Sequence, residues 1–366
     1  MKVALVCDWL TNVGGAEKVL LYIHRMFPEA PIYTSKYDPK GIDWFRDADV
    51  RTGWLQIFPT SWRRVLGAFR QIWFSHLNLS EYDLVISVTG AEAKAVKVPN
   101  GVHICYCHVP TQYYWQMEAD YTKDPGFGIL NPVVRFFYKI LLKPLRRADF
   151  RAAKKPDYFV TISEYARELI KKYYKREATV IHPPVEFEDF AKACGKPVEN
   201  FYIVTSRQVT WKRLDLAVKA CRELDKQLLV VGEGPEHRKL VRLAGGSKNI
   251  KFLPLTQKKK LAEYLACAKG YLFPSLEPFG IAPVEALAAG CPVIAYAKGG
   301  AKDYVVDGEN GVLFGEQTAE SLVKAIEKFE EMSFDRKAVA KTAKKFAVER
   351  FDAELMDFVK THEKKK

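Results

Sequence analysis

The densest chemistry in the chain lies between Phe273 and Ala295, where Glu277 and Glu285 stand eight positions apart around a Pro278-Phe279-Gly280-Ile281 turn. The segment reads as a strand end, a tight loop, a short helix and a buried strand. Pro283 suits a first helical turn, Gly290 suits a C-terminal cap, and Pro292 stops any continuation. Gly280 lets the backbone approach a ligand closely, and the amides that open the helix form an anion site. A second pair, Arg207 and Lys212, stands where the apolar run Phe201–Thr205 gives way to a helix. An arginine forks onto phosphate oxygens and a lysine adds a point charge, so both at a strand's C-terminal edge suit a diphosphate. Carboxylates for hydroxyl groups and cations for phosphates outline a nucleotide-sugar pocket.

These residues need a scaffold of alternating strands and helices. Lys2–Trp9 reads as a buried strand, followed by the Gly14-Gly15 turn and an amphipathic helix through Met26. Further strands are expected at Ile32–Thr34, Tyr82–Ser87 and Val102–Cys107, with His108 at the C-terminal edge of the last. Asp157–Ile162 is another strand, and Ser163 is a good N-cap for the helix behind it. The prolines 183 and 184 and the polar stretch through Asn200 mark a boundary. The expected division is an N-terminal domain over 1–185, a C-terminal domain over 186–345, and a last helix, about 346–366, packing back on the first. In the second domain, strands are expected at Phe201–Arg207, Leu228–Val231 before the Gly232 turn, and Ile250–Leu255. Val305–Phe314 reads as a hairpin-like turn.

At 366 residues, two domains are the natural expectation. An apolar fraction of 48% with 28% charged residues fits a globular chain, not a disordered one. A formal charge of +13 asks for an acidic partner: nucleic acid, an anionic membrane surface, or a phosphate-bearing small molecule. No nucleic-acid recognition motif accompanies the charge. Two runs, Thr60–Phe74 and Val133–Arg147, are aromatic and basic without an acid. Each is either a helix lying on an anionic bilayer or a core helix with a solvated basic back. The seven cysteines form no Cys-x-x-Cys pair and suit buried thiols in a reducing cytoplasm. No metal site is expected. The chain opens directly on a strand and has no apolar run long enough to span a bilayer, so a cytoplasmic location is expected.

The stretch from Glu277 to Glu285, with Gly290-Cys291-Pro292-Val293-Ile294 after it, resembles the two-glutamate signature of family 4 retaining glycosyltransferases. Those enzymes have the GT-B fold, two Rossmann-like α/β domains facing a central cleft. Arg207 and Lys212 match the family's Arg-x-x-x-x-Lys pair, with Arg213 where a glycine is usual. Gly14 and Gly15 match the glycine loop that faces the donor diphosphate, and Lys298-Gly299-Gly300 matches a family loop in which Asp303 replaces a glutamate. Tyr106–Trp115 is similar to the Tyr-x-His-x-Pro-x-x-Tyr-x-Trp segment of a polysaccharide-mannosyltransferase-like branch, which places His108 beside the transferred sugar and aromatic side chains along the cleft.

The resemblance implies hexose transfer from a nucleotide diphosphate to a hydroxyl with retained configuration, without metal or cofactor. Arg207, Lys212 and the amides near Gly14 and Gly15 would stabilise the departing diphosphate. Glu285 would hold ribose hydroxyls, and Glu277 the sugar. Phe279, Gly280, Ile281 and Gly232 complete the donor-binding set. GDP-mannose is the expected donor, a lipid-linked or polysaccharide glycan the acceptor, and the inner face of the cell membrane a candidate location. The alternatives are a UDP-sugar transferase, an epimerase or phosphorylase of the same fold, and a basic membrane- or nucleic-acid-binding protein with a vestigial pocket.

Overall fold

The computed structural model describes residues 1–60, 62, 66–123, 128 and 131–363. Ser61 and 63–65 of the first aromatic, basic run and the terminal lysines 364–366 lie outside the described residues. The chain divides into two compact units, Met1–His182 with Asp352–Lys366, and Pro183–Phe351.

The first unit is built on seven strands: β1 (Val3–Cys7), β2 (Ile32–Thr34), β3 (Val50–Arg51), β4 (Leu84–Thr89), β5 (Val102–Cys107), β6 (Tyr158–Thr161) and β7 (Thr179–Val180). All pair in parallel, in the order β3-β2-β1-β4-β5-β6-β7. Parallel sheets are covered on both faces, so central strands read as continuous apolar runs. Every residue of β4 and β5 is buried. The second unit repeats the plan with β8 (Phe201–Thr205), β9 (Gln227–Val231), β10 (Ile250–Leu253), β11 (Gly270–Phe273), β12 (Val293–Tyr296) and β13 (Gly311–Phe314), ordered β10-β9-β8-β11-β12-β13. In each sheet the winding reverses once, between β1 and β4 and between β8 and β11. Such switch points open a crevice at the strands' C-terminal ends.

Local sequence signals set the helix ends. Ser163 caps the helix Glu164–Tyr174 by accepting the Ala166 amide at 3.0 Å, and Pro283 sits in the opening turn of the helix Ile281–Ala288. The last helix runs Val348–His362, and the Tyr158 ring of β6 meets its Phe358 edge-on and its His362 at a tilt. The turn expected within Val305–Phe314 forms, the Gly308 amide bonding the Gly311 carbonyl at 2.9 Å, and β13 then joins β12 in parallel. The side chain of Asn310 holds this loop, accepting from the Val306 amide and donating to the Tyr304 carbonyl, both at 2.8 Å.

Candidate nucleotide-sugar site

In the second unit the loops that follow β8 and β11 flank the switch point, and they carry the predicted charges. Lys212 ends a short 3-10 turn, Thr210–Lys212. Its ammonium lies 2.5 Å from the Glu277 carboxylate and 4.4 Å from the Trp211 ring centre, with both charged side chains mostly buried. Arg213, in the place of the family's glycine, takes the left-handed conformation (φ 53°, ψ 35°) that glycine adopts without strain. Its guanidinium is tied to Asp215 at 3.2 Å and to the Gln317 side chain at 3.3 Å. Arg207 is exposed just beyond β8 and has no ion-pair partner among the described residues.

Close backbone approach fixes the surrounding loops. A Cβ on Gly232 (φ 125°) would lie 2.2 Å from the Ser206 carbonyl oxygen, so only glycine lets the loop after β9 press against the one carrying Arg207. The buried Gln208 locks the two together, donating to the Gly232 carbonyl at 2.5 Å while the His237 ring pairs with its amide oxygen at 2.8 Å. A Cβ on Gly299 would meet the Glu277 carbonyl oxygen at 2.4 Å, and one on Gly300 the Pro278 carbonyl oxygen at 2.3 Å. The Gly300 amide donates to the Glu277 carbonyl at 2.8 Å. The paired glycines thus support the Glu277 loop from behind.

Gly280 (φ 95°) turns the chain into the helix that bears the half-buried Glu285 and begins at Ile281. Phe279 is 2% exposed, packed against Tyr304 and Phe346, and its carbonyl accepts from the Tyr304 hydroxyl at 2.8 Å. Its ring therefore belongs to the core. Burial pushes the Tyr271 phenol above its ordinary range against its hydrogen bonds to Thr205, and the Glu277 and Glu285 carboxylates add to the rise. Gln208, Tyr271 and Tyr304 have no signature in the sequence: no motif or spacing marks them.

The first unit has its own cluster at the β1/β4 switch point. Gly14 is the extended N-cap of the helix Gly15–Met26. Asp8, after β1, accepts from the Thr89 hydroxyl at 2.8 Å and from the amides of Gly90 at 3.0 Å and Ala93 at 2.8 Å, clamping the ends of β1 and β4 together. His108 follows β5, its amide bonded to Thr89 at 2.8 Å, and burial lowers its imidazole to about 4, so it is neutral at pH 7. Its Nε2 has no partner among the described residues. The aromatics behind it serve the scaffold. Tyr113 donates to the wholly buried Glu92 at 2.5 Å, and Arg70 pairs with the same carboxylate at 2.9 Å. Trp115 donates to Asp149 at 2.7 Å. Asp149, inside the helix Asn131–Ala152, also takes Lys94 at 2.6 Å, Thr111 at 2.8 Å and Tyr174 at 2.9 Å. Among the described residues no group of three His, Cys, Asp or Glu is placed to hold a metal ion.

Two parallel-sheet α/β units with charged loops at a switch point define the fold class of the GT-B glycosyltransferases. Residues 185–346 match the family model "Glycosyl transferases group 1". The uncharacterized glycosyltransferase MJ1069 of Methanocaldococcus jannaschii is 27% identical over 54% of this chain and 56% of its own. The chain spans little more than half the length of such relatives. The α-1,3/1,6-mannosyltransferase ALG2 of Mus musculus is 23% identical over 95% of this chain and 93% of its own. Among solved structures, Anabaena Alr3699/HepE in complex with UDP superposes with a TM-score of 0.70 at 20% identity, covering 99% of this chain and 100% of that one.

Proposed function

We propose that the chain is a retaining, metal-independent glycosyltransferase that moves a hexose from a nucleotide diphospho-sugar to a hydroxyl of a lipid-linked or polysaccharide acceptor. The observation that carries this reading is the Lys212–Glu277 pair across the β8/β11 switch point, 2.5 Å apart. In a diphospho-sugar the distal phosphate and the anomeric carbon share one bridging oxygen, so a cation and a carboxylate side by side are spaced to hold one each. As the bond from the anomeric carbon to phosphate breaks, negative charge grows on the diphosphate. Lys212 and the exposed Arg207 meet it as preorganised cations and stand where other phosphate sites use magnesium. The new bond forms to the acceptor oxygen, whose proton leaves with the departing phosphate. Glu277 faces the sugar and offsets positive charge at the anomeric carbon, and Glu285 takes the ribose hydroxyls.

For the donor we infer GDP-mannose, from the His108 segment and the mannosyltransferase name of the ALG2 relative. A UDP-sugar is the second reading, favoured by HepE in complex with UDP and with UDP-glucose. The acceptor reading puts the enzyme in the cytoplasm against the inner membrane face. A thermal-shift panel of GDP, UDP, ADP and their sugars, with and without EDTA, decides among them. A diphosphate at about 100 times its Kd adds roughly 2.7 kcal/mol. One base should stabilise the protein, with or without EDTA; no shift from any nucleotide would remove the reading.

A further inference from the structure

The helix Asn131–Ala152 turns an apolar stripe outward. Its inner side buries Leu142, Asp149 and Ala152 and is tied down by polar contacts: Asp149 is bound as described, Tyr138 and Arg146 donate to the carbonyls of Tyr113 and Tyr114, and Arg146 also pairs with Glu118. Its outer side carries Val133, Phe136, Phe137, Ile140 and Leu141, which recur at the spacing of one helix face. They are 55, 62, 56, 55 and 45% exposed. The same face continues into exposed Arg147 and Arg151, with exposed Lys139 and Lys143 on its flank. The helix has one acid, Asp149, and that acid is buried. The helix Gly67–His76, also without an acid, packs nearby and exposes Phe69 and Ile72, 50 and 51%.

We infer that the outer face of helix Asn131–Ala152 is a docking surface for an anionic lipid bilayer. Apolar side chains on a helix lying in the membrane plane sink into the boundary between headgroups and acyl chains, and flanking Lys and Arg meet lipid phosphates. Charge decides the occupant. A second copy of the chain would set this basic face against itself, and an acidic polymer in water offers nothing for two phenylalanines, a valine, an isoleucine and a leucine. No helix among the described residues is long and apolar enough to cross a membrane, so contact at this face is surface attachment. The inference gives the membrane contact of the proposed function a place and rests on that reading only for the cytoplasmic leaflet as its target.

Co-sedimentation with phosphatidylcholine vesicles containing about one third phosphatidylglycerol tests it, with no nucleotide sugar present, so that failure leaves the donor reading standing. The wild type should bind these vesicles, bind pure phosphatidylcholine far more weakly, and release as salt rises. Each basic side chain at such a surface is worth about fivefold in partition, so K143Q/R147Q should weaken binding roughly 25-fold. F136S/I140S should weaken it at least as much, with Tm and diphosphate binding unchanged, since both positions are exposed. No binding to the anionic vesicles, or equal binding by wild type and both variants, overturns the inference. So does a wild-type dimer on gel filtration that F136S/I140S converts to monomer.

Discussion

Replacing Asp149 by Asn tests whether the first unit is held by a buried charge cluster. Lys94 is 1% exposed; burial alone would lower its ammonium, but Asp149 and Tyr174 raise it, so it stays charged. One oxygen of Asp149 takes Lys94 and Thr111, and the other takes Trp115 and Tyr174. Lys94 and the Trp115 indole are pure donors. An asparagine turns its NH2 toward one of them in either orientation, and in both the ammonium loses its counter-charge. Removing one partner of a buried pair costs about 3–5 kcal/mol. At roughly 2–4 °C per kcal/mol for a domain of this size, D149N should lower Tm by about 10 °C. The pair itself need not be net stabilising, because its desolvation offsets its attraction. K94M/D149L, which removes both charges, should therefore recover most of the loss in urea and thermal unfolding. A D149N variant within about 1 kcal/mol of wild type, or a double variant less stable than D149N, would mean that no buried charge cluster holds the first unit.

Two other expectations follow from packing and burial. G300A drives a Cβ to 2.3 Å from the Pro278 carbonyl oxygen and 2.5 Å from the Phe279 Cα, so the Glu277 loop must shift. Overpacking of this kind costs about 1–3 kcal/mol and should weaken diphosphate-sugar binding more than tenfold. Gly315, where an added Cβ meets nothing within 4 Å, supplies the control, and G315A should bind as wild type in calorimetry. Burial lowers His108 to about 4 and His103 to about 3, the latter helped by the Lys155 and Arg176 charges. Between about pH 6.5 and 4 the unfolded chain binds protons that the folded chain refuses, so stability should fall as pH drops through that window. Urea titrations across it should show a flatter profile for H103Q/H108Q; an unchanged slope would mean both imidazoles protonate in place.

Much of the scaffold was legible because parallel strands buried on both faces write themselves as apolar runs. Val3–Cys7, Val102–Cys107 and the strands before Gly232 and Glu277 lie where the pattern puts them. Edge strands escaped: Val50–Arg51 is two residues long, too short for any periodicity. The Arg207–Lys212 spacing and the two glutamates could be read because charge at strand ends is rare and local. What joins them could not. Gln208 stitches two loops from positions far apart in the chain, and the Asp149 cluster collects residues from 94 to 174 that have no common spacing. The helix Asn131–Ala152 was readable as amphipathic, but which side faces the core depends on Asp149, a lone acid whose four donors come from elsewhere.

Nucleoside diphosphate release from GDP-mannose and UDP-glucose, compared among wild type, R207A and K212A, tests whether the loops at the β8/β11 switch point hold a diphospho-sugar for transfer. The wild type should release from one donor, and each variant should lose about 10²–10³-fold, the scale for removing one preorganised group that stabilises transition-state charge. Release that persists unchanged without Lys212 and Arg207 would mean that these loops do not hold the donor.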